Sequence, residues 1–96
     1  MRFEWDPAKN DANQRKHGLR FEDAKTIFLW ASHRIDGLDD IYAGGEERFI
    51  SIAPLGSALV TVVWMSPRAG AVRIISARAA DKRERERYRR QMDLER

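Results

Sequence analysis

The sequence predicts an α+β domain: a small antiparallel β-sheet packed with two N-terminal helices and a basic C-terminal helix. Three observations lead there. Strand-forming runs at 48–53, 58–65 and 72–77 follow one another across turns short enough to make neighbouring strands antiparallel. Two helical signals precede them, and after Arg78 the composition turns to charged helix formers. At 96 residues, 43% of them hydrophobic, the chain is large enough for one modest core and too small for two, so 1–96 is a single domain.

In order, Arg2 to Trp5 alternates charged and aromatic residues, which puts Phe3 and Trp5 on one face of a short edge strand. Asp6-Pro7 starts a helix, with Asp as N-cap and Pro at the first helical position, and Gly18 stops it. The apolar residues inside are only Ala8 and Ala12, so this helix lies on the surface. Lys9, Asn13, Lys16 and His17 fall at i, i+4, i+7 and i+8 and share a cationic stripe, a pattern that is usually a solvated face. A second helix is expected over 21–32, with Phe21, Ala24, Ile27, Phe28 and Ala31 facing the core, although Arg20 stands where a capping residue belongs. The stretch 33–47 is rich in Asp, Glu and Gly, lacks the full ligand pattern of a calcium loop, and reads as a mobile connection.

Of the three following strands, Leu59-Val60-Thr61-Val62-Val63-Trp64 is the most apolar and belongs at the centre of the sheet. The last, Val72 to Arg78, carries a guanidinium at each end. Regular alternation places Arg73 and Arg78 on opposite faces, so both reach one site only if a bulge or the strand's end re-aims one of them. On the strand alone, ion-paired or snorkelling arginines explain the pattern better than an anion site does. The final helix begins at Asp81, which with Glu84 has capping-box spacing, and Tyr88 and Met92 are almost its only apolar anchors.

The net charge of +3 is unevenly placed. Ten basic and ten acidic residues cancel over 1–77, whereas 78–96 holds eight basic against five acidic. A polyanion or an acidic partner meets that end first. There is no cysteine, and His17 and His33 have no ligand-like spacing, so neither disulfides nor a zinc site is expected. The first residues lack the layout of a signal peptide and the longest apolar run is too short for a bilayer, which points to a cytoplasmic protein without membrane contact. No Gly-rich phosphate loop or nucleophile elbow is present, and no cofactor is expected.

What remains is an arginine-rich surface. Metal-free RNA cleavage needs little machinery, because the substrate supplies the 2′-OH nucleophile and the protein must align it, move two protons and stabilise charge on phosphate. Arg48, Arg73, Arg78 and Lys9 are candidates for holding the phosphate, His17 or Glu47 for the base, and Tyr88 for the orienter or acid. Asn13, Lys16, Arg83 and Arg85 are further candidates for contact with RNA.

The run Phe3-Glu4-Trp5-Asp6-Pro7-Ala8-Lys9, followed by Asn13, Lys16-His17-Gly18, Phe21-Glu22 and Ala24, resembles the opening of the BrnT family of bacterial toxins. Glu46-Glu47-Arg48-Phe49, Arg73-Ile74-Ile75-Ser76-Ala77-Arg78 and the Arg-Glu-Arg segment before Tyr88 continue the resemblance in the right order over nearly the whole chain. It implies a RelE-like fold and a ribonuclease that inhibits translation. It also implies a cognate BrnA-like antitoxin, a DNA-binding ribbon-helix-helix protein whose complex with the toxin reaches operator DNA. A non-enzymatic nucleic-acid-binding module, or a cationic domain that docks on an acidic protein, are the alternatives.

Overall fold

The computed structural model describes residues 1–31, 33–39 and 47–95. Five strands, β1 (Arg2–Glu4), β2 (Ile35–Leu38), β3 (Phe49–Leu55), β4 (Ala58–Met65) and β5 (Ala71–Ala79), form one sheet in the order β1-β5-β4-β3-β2. The apolar strand β4 is central, as its composition predicts. The sheet is mixed rather than wholly antiparallel, because β1 lies beside the last strand and runs parallel to it, Phe3 against Val72. A second departure is β2, inside the stretch expected to be a mobile connection. Its composition is loop-like, but β3 offers a free edge, and Ile35 to Leu38 pair with Ile52 to Phe49 along it. Ser32 and 40–46 lie outside the described residues, and with them the end of the expected second helix, Asp40, and Glu46 of the Glu46-Glu47-Arg48-Phe49 block.

The first helix, α1 (Pro7–His17), has the predicted ends: the Asp6 carboxylate accepts from the Ala8 N–H at 2.9 Å, and Gly18 closes the helix at φ +72°, where a side chain would be strained. The expected 21–32 helix is two short pieces, α2 (Phe21–Ala24) and α3 (Ile27–Trp30). The Thr26 N–H bonds to the Asp23 carbonyl three residues back, and the Thr26 hydroxyl donates to the same oxygen at 2.6 Å, which tightens the turn and interrupts the α pattern. Arg20 indeed supplies no cap. Asn10 of α1 does so instead, its Oδ1 accepting from the Phe21 N–H at 2.8 Å.

The core lies between these helices and one face of the sheet, where Phe21, Ala24 and Ile27 meet Val60, Val62, Val72, Ile74 and Ala77. Phe21 is fully buried and meets Trp5 edge-on, with ring centroids 6.0 Å apart. Since α1 has almost no apolar surface, its attachment is polar. Asn13 is 7% exposed, and its Nδ2 donates to the carbonyls of Leu19 (2.9 Å) and Ala77 (2.8 Å) while its Oδ1 accepts from the Ala77 N–H (3.1 Å). The amide thereby completes the outer edge of β5 beyond the point where β1 stops, at the Arg73 register.

The last helix, α4 (Lys82–Leu94), begins with the predicted capping box of Asp81 and Glu84. None of its residues is buried. It is held by the Tyr88 hydroxyl donating to the His33 carbonyl at 2.7 Å, by Arg87 lying against Gly37, and by a bidentate pair in which Arg78 donates to both Glu84 oxygens at 2.6 and 2.9 Å. Among the described residues no helix is long and apolar enough to cross a membrane.

Replacing Asn13 by Ala leaves the Ala77 N–H and C=O unpaired in a buried place and should cost about 2–3 kcal/mol, read from urea unfolding. Asn13→Asp should be no better, because a carboxylate would face two carbonyl oxygens. Burial, the largest single effect, would raise the Glu84 carboxyl, but the hydrogen bonds from Arg78 and the Asp81 N–H together with the Arg78 charge outweigh it and hold the group below its ordinary value of 4.5. A depressed carboxyl contributes stability that is complete above that value and lost as pH falls through the folded one. The stability gap between wild type and Glu84→Gln should therefore shrink as the pH is lowered from 6 to 3, measured as urea midpoints; a constant gap would contradict the pairing.

Candidate nucleic-acid interface

The strand register decides where the two arginines of β5 point. Trp64 pairs with Ile74 but Val63 pairs with Ser76, so Ile75 is an extra residue, a bulge in β5. Arg73, Ser76 and Arg78 thereby stand opposite Met65, Val63 and Thr61, alternate residues of β4 that share one face. Both guanidiniums belong to the face opposite the apolar core, contrary to the regular alternation expected from sequence. Cross-strand rows complete this face: Gly37, Ile50, Val63 and Ser76 in one, and Ile35, Ile52, Thr61 and Arg78 in the next. α4 lies over it through Gly37 and Arg78.

Both arginines are ion-paired, as the strand pattern by itself suggests. Arg73 meets Glu4 at 3.1 Å, and Arg68 meets the same carboxylate at 2.7 Å. Desolvation works to raise the Glu4 carboxyl, and the two guanidiniums prevail and lower it. The Glu84 carboxylate raises the pKa of Arg78, keeping it firmly charged. Arg78 and Arg83 line a cleft of about 510 Å³ with Arg87 and Arg90 of α4, and with Asp81, Glu84 and Glu86 beside them.

A second basic cleft, of about 220 Å³, lies where α1 meets the bulge. Lys9, Asn13, Lys16 and His17 line it together with Ile75 and Ser76. The helical stripe read from sequence is therefore assembled, but its members differ. Asn13 is committed to the backbone of β5, whereas Lys9, Lys16 and His17 have no ion-pair partner among the described residues. Ser76 joins the two regions, since it lines the α1 cleft and sits on β5 between Arg73 and Arg78.

The other expected site residues lie elsewhere. Glu47 lines a separate cleft with Phe49, Met65, Ser66 and Pro67. Arg48 precedes β3, and its carbonyl accepts from the Asp39 N–H. Tyr88 faces His33, Met92 and Glu95, and burial pushes its phenol up, so it serves as a neutral donor to the His33 carbonyl. Arg85 donates to the Ala80 carbonyl at 2.7 Å, closing the start of α4. Sequence reading missed Arg87 and Arg90, although with Arg83 they follow i, i+4 and i+7 on one helical face. It also missed Glu4 and Glu84 as partners, and only Glu84 left a signal, its capping spacing. Among the described residues no three His, Asp or Glu side chains come together as a metal-holding group.

Two comparisons bear on this arrangement. The family model described as "Ribonuclease toxin, BrnT, of type II toxin-antitoxin system" matches residues 5–84. The crystal structure of the Brucella abortus ribonuclease toxin BrnT superposes with a TM-score of 0.63 at 26% identity, covering 85% of this chain and 99% of that one. A comparison with curated protein sequences gives no match. The matched segment takes in α1, the bulged strand with both its arginines, and the Glu84 that meets Arg78. This chain belongs to the BrnT family of ribonuclease toxins of type II toxin-antitoxin systems.

Proposed function

We propose that the protein is a metal-independent endoribonuclease toxin with a RelE-like fold that inhibits translation by cutting RNA in the cytoplasm, and that a cognate BrnA-like ribbon-helix-helix antitoxin neutralises it. The observation that carries this reading is the α1 cleft. Two ammonium groups and an imidazole, none with an ion-pair partner among the described residues, line it beside the bulge of a strand that bears two more cations on one face. Unpaired cations attract a phosphodiester, and a compact arrangement of this kind is what an RNA backbone requires.

In this reading Lys9 and Lys16 hold the scissile phosphate at the α1 cleft. His17 takes the proton from the 2′-OH as general base. The alkoxide attacks phosphorus with formation of the 2′,3′-cyclic phosphate, and the bond to the 5′-oxygen breaks as that oxygen gains a proton from solvent water. Negative charge that builds on the phosphate oxygens is met by Arg73 and Arg78, each exchanging a carboxylate partner for the phosphate. Glu47 and Tyr88 lie in other clefts, so His17 is the better base and Tyr88 a support for α4. Arg83, Arg87 and Arg90 extend the path of the strand.

A non-catalytic nucleic-acid-binding module is the second reading. It draws on the same fact from the other side: both strand arginines are already neutralised by Glu4 and Glu84.

Incubation with RNA in excess chelator separates the two. The enzyme reading expects new ends carrying 2′,3′-cyclic phosphate, with cleavage reduced about 10²–10⁴-fold in His17→Ala and abolished in Arg78→Ala while the variants stay folded. RNA left intact both free and on translating ribosomes, with binding that falls steeply in salt, would establish the binding module instead. A separate salt titration of RNA binding should give a slope smaller by about two in the Lys9→Ala, Lys16→Ala double variant.

A further inference from the structure

The cleft that holds Glu47 has a chemistry different from the basic surfaces. It measures about 410 Å³, within the range of roughly 300–1,000 Å³ that small-molecule sites occupy. Among the described residues Glu47 is its one charged lining residue; the Ser66 hydroxyl is already used, donating toward the Ala71 carbonyl at 2.8 Å. The lining therefore offers an aromatic ring and a carboxylate. It repels a phosphate and suits a flat group that carries hydrogen-bond donors.

The ring is fixed in advance. Phe49 stacks on Trp64 with centroids 4.7 Å apart and planes 28° from parallel. The Trp64 indole N–H donates to the Ser51 hydroxyl at 2.7 Å, and that hydroxyl in turn donates to Asp36. Met65, also in the lining, is the cross-strand partner of Arg73. A group seated in the cleft is thus next to the strand that brings Arg73 and Arg78 to one face.

We propose that this cleft is a nucleobase subsite that selects guanine in single-stranded RNA, with Phe49 as the stacking platform and Glu47 as the acceptor for the base edge. The inference rests on the ribonuclease reading above for its substrate. Unpaired bases in RNA are recognised by stacking on aromatic side chains and by hydrogen bonds along their Watson–Crick edges. Guanine alone among the four presents two adjacent donors there, N1–H and N2–H, which match the two oxygens of one carboxylate. Adenine and cytosine set a ring nitrogen acceptor beside their amino group, and uracil sets carbonyl oxygens on both sides of N3–H, so each would oppose the carboxylate with a lone pair.

The test titrates the full-length protein with the 5′-monophosphates of guanosine, adenosine, cytidine and uridine, following the Trp64 indole N–H and Phe49 ring signals by NMR. The guanosine nucleotide should bind about tenfold or more tightly than the others and shift those signals. Glu47→Gln should lose the preference, Phe49→Ala should lose binding of all four, and Phe49→Trp should restore it. Equal binding by the four nucleotides, shifts confined to the basic clefts, or a preference retained in Glu47→Gln would overturn the proposal. Glu47 is exposed, so its variant keeps the test decisive even where a Phe49 variant unfolds. A cleavage assay run alongside separates the two readings. RNA cut without regard to guanine, with equal nucleotide binding, removes the subsite and leaves the ribonuclease; selective nucleotide binding with RNA left intact does the reverse.

Discussion

The Asn13 amide, spent on both backbone groups of Ala77, is the contact on which the arrangement of this molecule turns. β5 is paired along one side by β4, but β1 covers its other side only over Ala71 to Arg73. A bare edge beyond that point would bury unpaired peptide groups, and a primary amide offers the same donor and acceptor that a neighbouring strand would. The helix that carries Asn13 has little apolar surface with which to dock. Its polar clasp therefore sets its position, and with it the place of Lys9, Lys16 and His17 beside the bulge.

The cations of this surface fall into two kinds. Arg73 and Arg78 have carboxylate partners that belong to β1 and α4, so they fasten the first strand and the last helix to the sheet as well as presenting charge. A planar guanidinium suits such a role because it can exchange one bidentate oxyanion for another without changing its own geometry. The lysines of α1 have no carboxylate partner among the described residues and stand as compact point charges beside the bulge. α4 buries no residue, and its hold on the sheet is mostly hydrogen bonds and charge. Its ion pair with Arg78 is a contact for which another oxyanion would compete.

On the other face the aromatic residues form a continuous group, Phe3, Phe28, Trp64 and Phe49, with successive ring centroids 4.7–5.7 Å apart. Arg34 lies over Phe28 at 4.7 Å and also pairs with Asp36, which accepts from Ser51. Polar and aromatic contacts therefore lock the same end of the sheet, and the order they impose reaches the Glu47 cleft through Phe49.

Local chemistry made much of this legible from sequence alone. The Asp6-Pro7 start and Gly18 stop of α1, the Asp81/Glu84 capping box and the central place of β4 follow from residue types at short separations, where the side chain and the backbone it satisfies are within a few positions of each other. The cationic stripe of α1 was equally readable, because helical periodicity alone gathers Lys9, Lys16 and His17. Tertiary structure decided what depends on partners distant in the chain. It turned a loop-like Asp-Gly stretch into β2, because β3 had an edge to fill; it lent α2 a cap from Asn10; and it made Asn13 a clasp for a residue 64 positions away. It also placed Arg73 and Arg78 on one face, since a bulge is a mismatch of length between two strands and neither strand's own pattern records it.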